Sequence, residues 1–164
     1  MEIKLTLALP RDELSVPVVR RVLKASMETL GVEPHVIADI ELALTEAVTN
    51  VLDHSTHGEE YEVSAGIDDD VCVIEVVDRG AGFDGSALGR GEAELTAEEG
   101  RGIQLIRALV DEVTFDSVPR LGTVVHLEKR LEWKPDSVAK KLGENNAATV
   151  DGPWSRTAPT AELN

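Results

Sequence analysis

The chain has a single cysteine, Cys72, in 164 residues, which leaves no internal disulfide framework and no multi-cysteine metal site. Cys72 falls in an apolar run and reads as a core residue. Aromatic residues are nearly as scarce. Tyr61, Phe83, Phe115, Trp133 and Trp154 are the whole set, so the core has to be built from Val, Leu, Ile and Ala. Basic residues are in deficit, 16 Lys and Arg against 31 Asp and Glu, for a net charge of −15. That balance disfavours nucleic acid, whose phosphates need clustered Lys and Arg, and anionic membrane surfaces. It does not exclude a nucleotide, which backbone N–H groups and a cation can hold. Long apolar runs are missing too: no stretch reaches the 18 or so residues of a membrane span. The first residues turn acidic and polar at once, unlike a signal peptide. The expectation is a soluble, cytoplasmic protein with no direct nucleic acid and no membrane partner.

What is present is enough for one domain, since 42% of the residues are hydrophobic. Glu2 to Leu9 alternates apolar and polar, a strand pattern. Ser15 to Leu30 has helical spacing, with Gly31 at its stop. Arg20, Arg21 and Lys24 form a small basic patch on this helix, with Arg11 just before it. The patch fits plain solvated surface, or a docking spot for an acidic partner. Pro34 suits the first turn of a second helix, which runs to about His54. Tyr61 to Ile67 and Val71 to Val77 read as two strands joined at Asp68-Asp69-Asp70. That acidic triplet lacks the twelve-residue calcium-loop pattern and is expected to be a hairpin turn. A polar, glycine-bearing stretch follows Asp78. A third helix is predicted from Ile103 to about Val110, then strands at Val113 to Val118 and Thr123 to Leu131. His57 is read as loop surface, with no third soft ligand close by.

The order β-α-α-β-β-α-β-β predicts an α+β two-layer sandwich, with a mixed, largely antiparallel sheet and helices on one face. Residues 1–132 are assigned to this domain. Residues 133–164, rich in Ala, Thr, Asn, Pro and Gly, are expected to be a mostly disordered tail.

The chemistry centres on the second helix. Ile40, Ala43, Leu44, Ala47, Val48 and Val51 form an apolar stripe, and Glu46, Asn50 and His54 recur one turn apart beside it. Read alone, that row fits a solvated polar face as well as an oxygen-rich site for metal-bound phosphate. The other signals are each weak: Asp78-x-Gly80-x-Gly82 after a strand, Gly100-Arg101-Gly102 opening a helix, and Gly122-Thr123 opening a strand. The Gly100-Arg101-Gly102 run is neither a dinucleotide fingerprint nor a P-loop.

As an ordered set, these pieces resemble the ATP-binding domain shared by histidine kinases, gyrase-type topoisomerases and Hsp90-type chaperones, the Bergerat or histidine-kinase-like fold. More narrowly, the run Thr45-Glu46-Ala47-Val48-Thr49-Asn50 with His54 resembles the anti-sigma-factor serine kinases of the RsbW and SpoIIAB type. The resemblance spans Ile3 to about Leu131. It implies ATP and Mg²⁺ as cofactors, with Asn50 as the magnesium ligand and Glu46 as the general base. Asp78 would accept a hydrogen bond from the adenine amino group, with Gly80 and Gly82 letting the backbone approach the base. Gly100, Arg101 and Gly102 would meet the phosphates at a helix N-terminus, Thr123 would stand at the adenine end, and Phe83 to Glu99 would form a lid. Glu98 and Glu99 stand where members of the family often carry a basic residue, with Arg101 or Arg90 as compensating charges. His54 is not expected to accept phosphate. Arg20 is carried over as a partner contact.

The resemblance further implies a sigma factor and an anti-sigma-factor antagonist of the STAS type as partners, and a homodimer. The leading expectation is an anti-sigma factor that sequesters its sigma factor and phosphorylates a serine of the antagonist. The alternative is an ATP-gated binding module without kinase activity. A subdomain of a larger ATPase machine is a third reading.

Overall fold

The computed structural model describes residues 2–54, 59–78, 97–118 and 122–142. In chain order the elements are β1 (Glu2–Pro10), α1 (Ser15–Leu30), α2 (Pro34–His54), β2 (Glu60–Asp68), β3 (Val71–Asp78), α3 (Ala97–Leu109), β4 (Glu112–Val118) and β5 (Gly122–Arg130). One five-stranded sheet has the order β1-β2-β3-β5-β4. All four strand pairs among the described residues are antiparallel, so the parallel component allowed by "mixed" is not seen there.

The alternation read in the sequence sorts the two faces of the sheet. Tyr61, Val63, Ala65 and Ile67 of β2 lie across from Asp78, Val76, Ile74 and Cys72 of β3, and all eight are buried. The intervening residues are half-exposed on the other face. The helices cover the buried face. α2 packs between α1 and α3 and over β3 and β5. Its stripe of Ile40, Ala43, Leu44, Ala47, Val48 and Val51 is buried. Each such Leu, Ile or Val contributes roughly 1.5–3 kcal/mol through removal from water. α2 is therefore fixed along its length by one face, and its polar row is carried on a rigid support.

The Asp69-Asp70 link is a tight turn, with Asp69 at φ 50, a left-handed conformation that aspartate tolerates. The only polar side chains buried under the sheet besides Asp78 and Ser137 belong, among the described residues, to Ser15 and its neighbour Tyr61. Their oxygens lie 2.6 Å apart, and Ser15 also donates to the Asp12 carbonyl, so Tyr61 is the donor of the pair.

The packed chain runs beyond residue 132. Trp133 bridges to Val32, its indole N–H donates to Asp70, and the Lys134 N–H donates to the Gly31 carbonyl. Ser137 and Ala139 are buried. Gly31 is required twice over. Its φ is 88, and a Cβ there would lie 2.6 Å from the Ser137 Cβ and 2.8 Å from its Cα. Residues 133–142 are thus part of the folded body and not of the expected tail, because the α1–α2 turn offers them a surface. Residues 143–164 lie outside the described residues.

Candidate functional site

The polar row of α2 stands where the helix layer meets α3. Glu46 and Asn50 are half-buried, one turn apart on the same face. Opposite them is Gly102 of α3. A Cβ on Gly102 would meet Glu46 Oε2 at 3.0 Å, Asn50 Oδ1 at 3.5 Å and Asn50 Nδ2 at 3.6 Å. The missing side chain leaves a cradle faced by a carboxylate and an amide.

α3 begins at Ala97, earlier than the predicted start at Ile103. The two glycines therefore do different work from the one expected. Gly100 is the fourth residue of the helix and closes its first turn. Gly102 falls in the second turn, where the N–H bonds back along the helix. What Gly102 offers is a close approach of α3 to Glu46 and Asn50, not a free N–H. Arg101 is exposed on the same turn.

Asp78 closes β3. It follows Cys72, Ile74 and Val76 on the inward face and is 1% exposed. Its Oδ2 accepts from Arg11 Nη1 at 2.6 Å. The same guanidinium donates through Nη2 to the Val51 and Leu52 carbonyls, both at 3.1 Å. Val51 directly follows Asn50, so Asp78 and the polar row of α2 lie at one end of the helix layer, joined through one arginine. The β3–β5 register puts Thr123 directly across from Asp78. Arg11 was expected beside the surface patch of α1. It instead turns inward, with 10% of its side chain exposed.

The histidine kinase-like ATPase domain family matches residues 9–129. The chain belongs to that family. Among its relatives, the anti-sigma F factor of Pasteuria penetrans is 33% identical over 104 residues, covering 58% of this chain and 69% of the relative. The serine-protein kinase RsbW of Listeria innocua is 29% identical over 153 residues, covering 85% of this chain and 98% of the relative. Among solved structures, the RsbU and RsbW domains of Rv1364c from Mycobacterium tuberculosis superpose with a TM-score of 0.62 at 24% identity, over 79% of this chain and 32% of that one. That last likeness concerns the fold.

For a histidine kinase-like ATPase, the residues present fit magnesium and a nucleotide. Mg²⁺ takes oxygen donors and few protein ligands, and the Asn50 amide oxygen beside the Gly102 cradle supplies one. A buried carboxylate at a strand end supplies a hydrogen-bond acceptor suited to an amino group. Among the described residues, no cluster of three His, Cys, Asp or Glu side chains could hold a metal by itself.

Arg20 lies on α1 with 42% of its side chain exposed, 3.9 Å from Glu41 Oε1, while Lys24 pairs with Glu41 Oε2 at 3.0 Å. Part of the basic patch is thus neutralised by α2. Gly80, Gly82, Arg90 and the rest of the expected lid up to residue 96 lie outside the described residues, as does His57. So do the side chains of His54, Glu98, Glu99 and Thr123. No described helix is long and apolar enough to cross a membrane.

The residue that sequence reasoning missed is Arg11, which joins Asp78 across 67 positions of the chain. The one available hint was its place at the end of β1 in a chain short of cations.

Proposed function

We propose that this protein is an ATP-dependent anti-sigma factor of the serine-kinase type. It sequesters a sigma factor and transfers phosphate from Mg-ATP to a serine of its antagonist, a small STAS-type protein. The observation that carries this reading is the meeting of Glu46, Asn50 and Gly102 at one cradle in a chain of the histidine kinase-like ATPase family. A binding module that never moves a proton has no use for a carboxylate at that point.

Asn50 Oδ1 would hold the magnesium, which when bound would supply positive charge to offset that of the phosphate oxygens. Glu46 accepts the proton of the serine hydroxyl as its Oγ forms a bond to the γ-phosphorus. The bond between that phosphorus and the oxygen bridging to the β-phosphate breaks, and ADP leaves. Asp78 accepts from the adenine amino group, with Gly80, Gly82 and Thr123 around the base. Gly100 and Arg101 meet the phosphates at the start of α3, where the helix dipole favours an anion. Arg20 contacts a partner from α1. Phosphorylation places about two negative charges on the antagonist's contact surface, which breaks its complex with this acidic chain. The protein acts as a cytoplasmic homodimer.

The test is transfer of labelled γ-phosphate to a STAS-type antagonist protein, read as phosphoserine. Glu46→Gln lowers the rate by about 10²–10⁴-fold, the usual contribution of a general base, with ATP binding retained. Undiminished transfer by Glu46→Gln removes that residue from the role. ATP-dependent partner binding with no phosphoserine from the wild type establishes the gated, non-catalytic module instead.

A further inference from the structure

We propose that Arg11 is a positioning residue of the nucleotide site, one that sets its preference for adenine over guanine. This rests on the reading of Asp78 as the acceptor of the adenine amino group.

The geometry gives Arg11 hold of both ends of the site. Its backbone N–H is anchored to the Glu59 carbonyl at 3.0 Å, in the turn between β1 and α1. From there the side chain runs inward, Nη1 to Asp78 Oδ2 at 2.6 Å and Nη2 to the carbonyls of Val51 and Leu52 at 3.1 Å. Those carbonyls belong to the last turn of α2, where C=O groups have no helical N–H to accept from and a cation is favourable. The guanidinium is a planar fork, so fixing it on two sides fixes its orientation. One group thereby sets where the Asp78 carboxylate points and how far it stands from the turn that carries Asn50.

Base discrimination depends on that orientation. Adenine presents an amino donor at its 6-position, and guanine an oxo group. A carboxylate held still repels the oxo group and pairs with the amino group, and a site built around a fixed buried acceptor rejects the mismatched analogue strongly. A carboxylate free to swing aside, or to admit a water, loses more of the penalty against guanine than of the contact with adenine. A purely structural brace would weaken both nucleotides alike. A plug that occupies the adenine site would, once removed, improve ATP binding.

The experiment measures equilibrium binding of ATP and of GTP, with Mg²⁺, to the full chain as wild type, Arg11→Gln and Arg11→Lys. Circular dichroism and thermal melts verify that each variant is folded. The wild type prefers ATP. The ratio of the two dissociation constants falls by about tenfold or more in Arg11→Gln, the loss of one charge-assisted contact. It falls less in Arg11→Lys, which keeps the charge but not the fork. Should Arg11→Gln not fold, Arg11→Lys decides, with an expected fall of about threefold or more. An unchanged ratio with both affinities lowered together, or tighter ATP binding in a folded variant, overturns the assignment to Arg11 alone. A wild type that takes up neither nucleotide overturns the reading of Asp78 and this inference with it.

Discussion

The two ends of the candidate site are built in opposite ways. At the proposed base end, Asp78 is sealed from water, ion-paired with Arg11, and backed by the β3 residues that line the core. At the proposed phosphate end, Glu46 and Asn50 are half-buried and stand close against a glycine of α3. The base is a rigid, uncharged ring that a fixed acceptor can select. On the proposed reading, the triphosphate would bring its metal and change shape as phosphate leaves. A buried, clamped acceptor suits selection, and a half-buried polar pair on a rigid helix suits transfer. On the proposed reading, one end carries stability and the other turnover.

The strongest way to break that contrast is at the ion pair. Asp78→Leu leaves the Arg11 guanidinium with the Val51 and Leu52 carbonyls but no carboxylate, a buried charge without its counter-ion, and lowers stability by about 3 kcal/mol. The double variant Arg11→Met/Asp78→Leu recovers most of that loss, because neither charge remains. Urea denaturation of the wild type, both single variants and the double variant measures the coupling. Additive losses would mean that the pair is not what holds the base end.

The second test acts at the phosphate end and has opposite signs in its two readouts. Gly102→Ala places a methyl group 3.0 Å from Glu46 Oε2, so the carboxylate has to shift by a few tenths of an ångström. Alanine is the better helix former by about 1 kcal/mol, so the melting temperature rises by about 2–4 °C. Phosphoryl transfer falls by about tenfold, since displacing a reacting group by even 1 Å can cost a hundredfold. A variant that is both more stable and fully active would show that Glu46 has slack at this site.

Most of the fold was legible in the sequence because its signals are periodic. The alternation in Tyr61 to Val77 fixed two strands and their faces, and the apolar stripe of Ile40 to Val51 fixed the central helix. The candidate site was legible only where it lies on one element, as with Glu46 and Asn50, or at a strand end, as with Asp78. The rest is set by contacts between distant residues. Arg11 reads as one more surface cation until the sheet brings Asp78 to it. Gly102 reads as a helix opener until α3 is seen to begin at Ala97 and to lay that glycine against α2. Residues 133–142 show no regular apolar period and read as tail, yet Ser137 and Trp133 pack on a turn whose shape depends on Gly31.

The smallest effect tests how dry the wall behind Asp78 is. Cys72 lies on the same face of β3, and burial pushes its thiol up to about 12 from an ordinary value of 9.0. Above pH 9 the unfolded chain loses this proton while the native chain keeps it. The unfolded state then binds fewer protons, and stability falls as pH rises from about 9 towards 12; below 9 the contribution is fully present. Tyr61 is raised as well, chiefly by burial, and adds a loss of the same sign above its ordinary value of 10.0. Between pH 9 and 10 the thiol dominates and costs about 1 kcal/mol. Urea unfolding at pH 8, 9 and 10 should show the wild type losing that much more than Cys72→Ala over the last unit, whatever the variant's stability at neutral pH. Parallel curves would mean that water reaches β3 from the core side, and the sealed base end would then be no drier than the cradle.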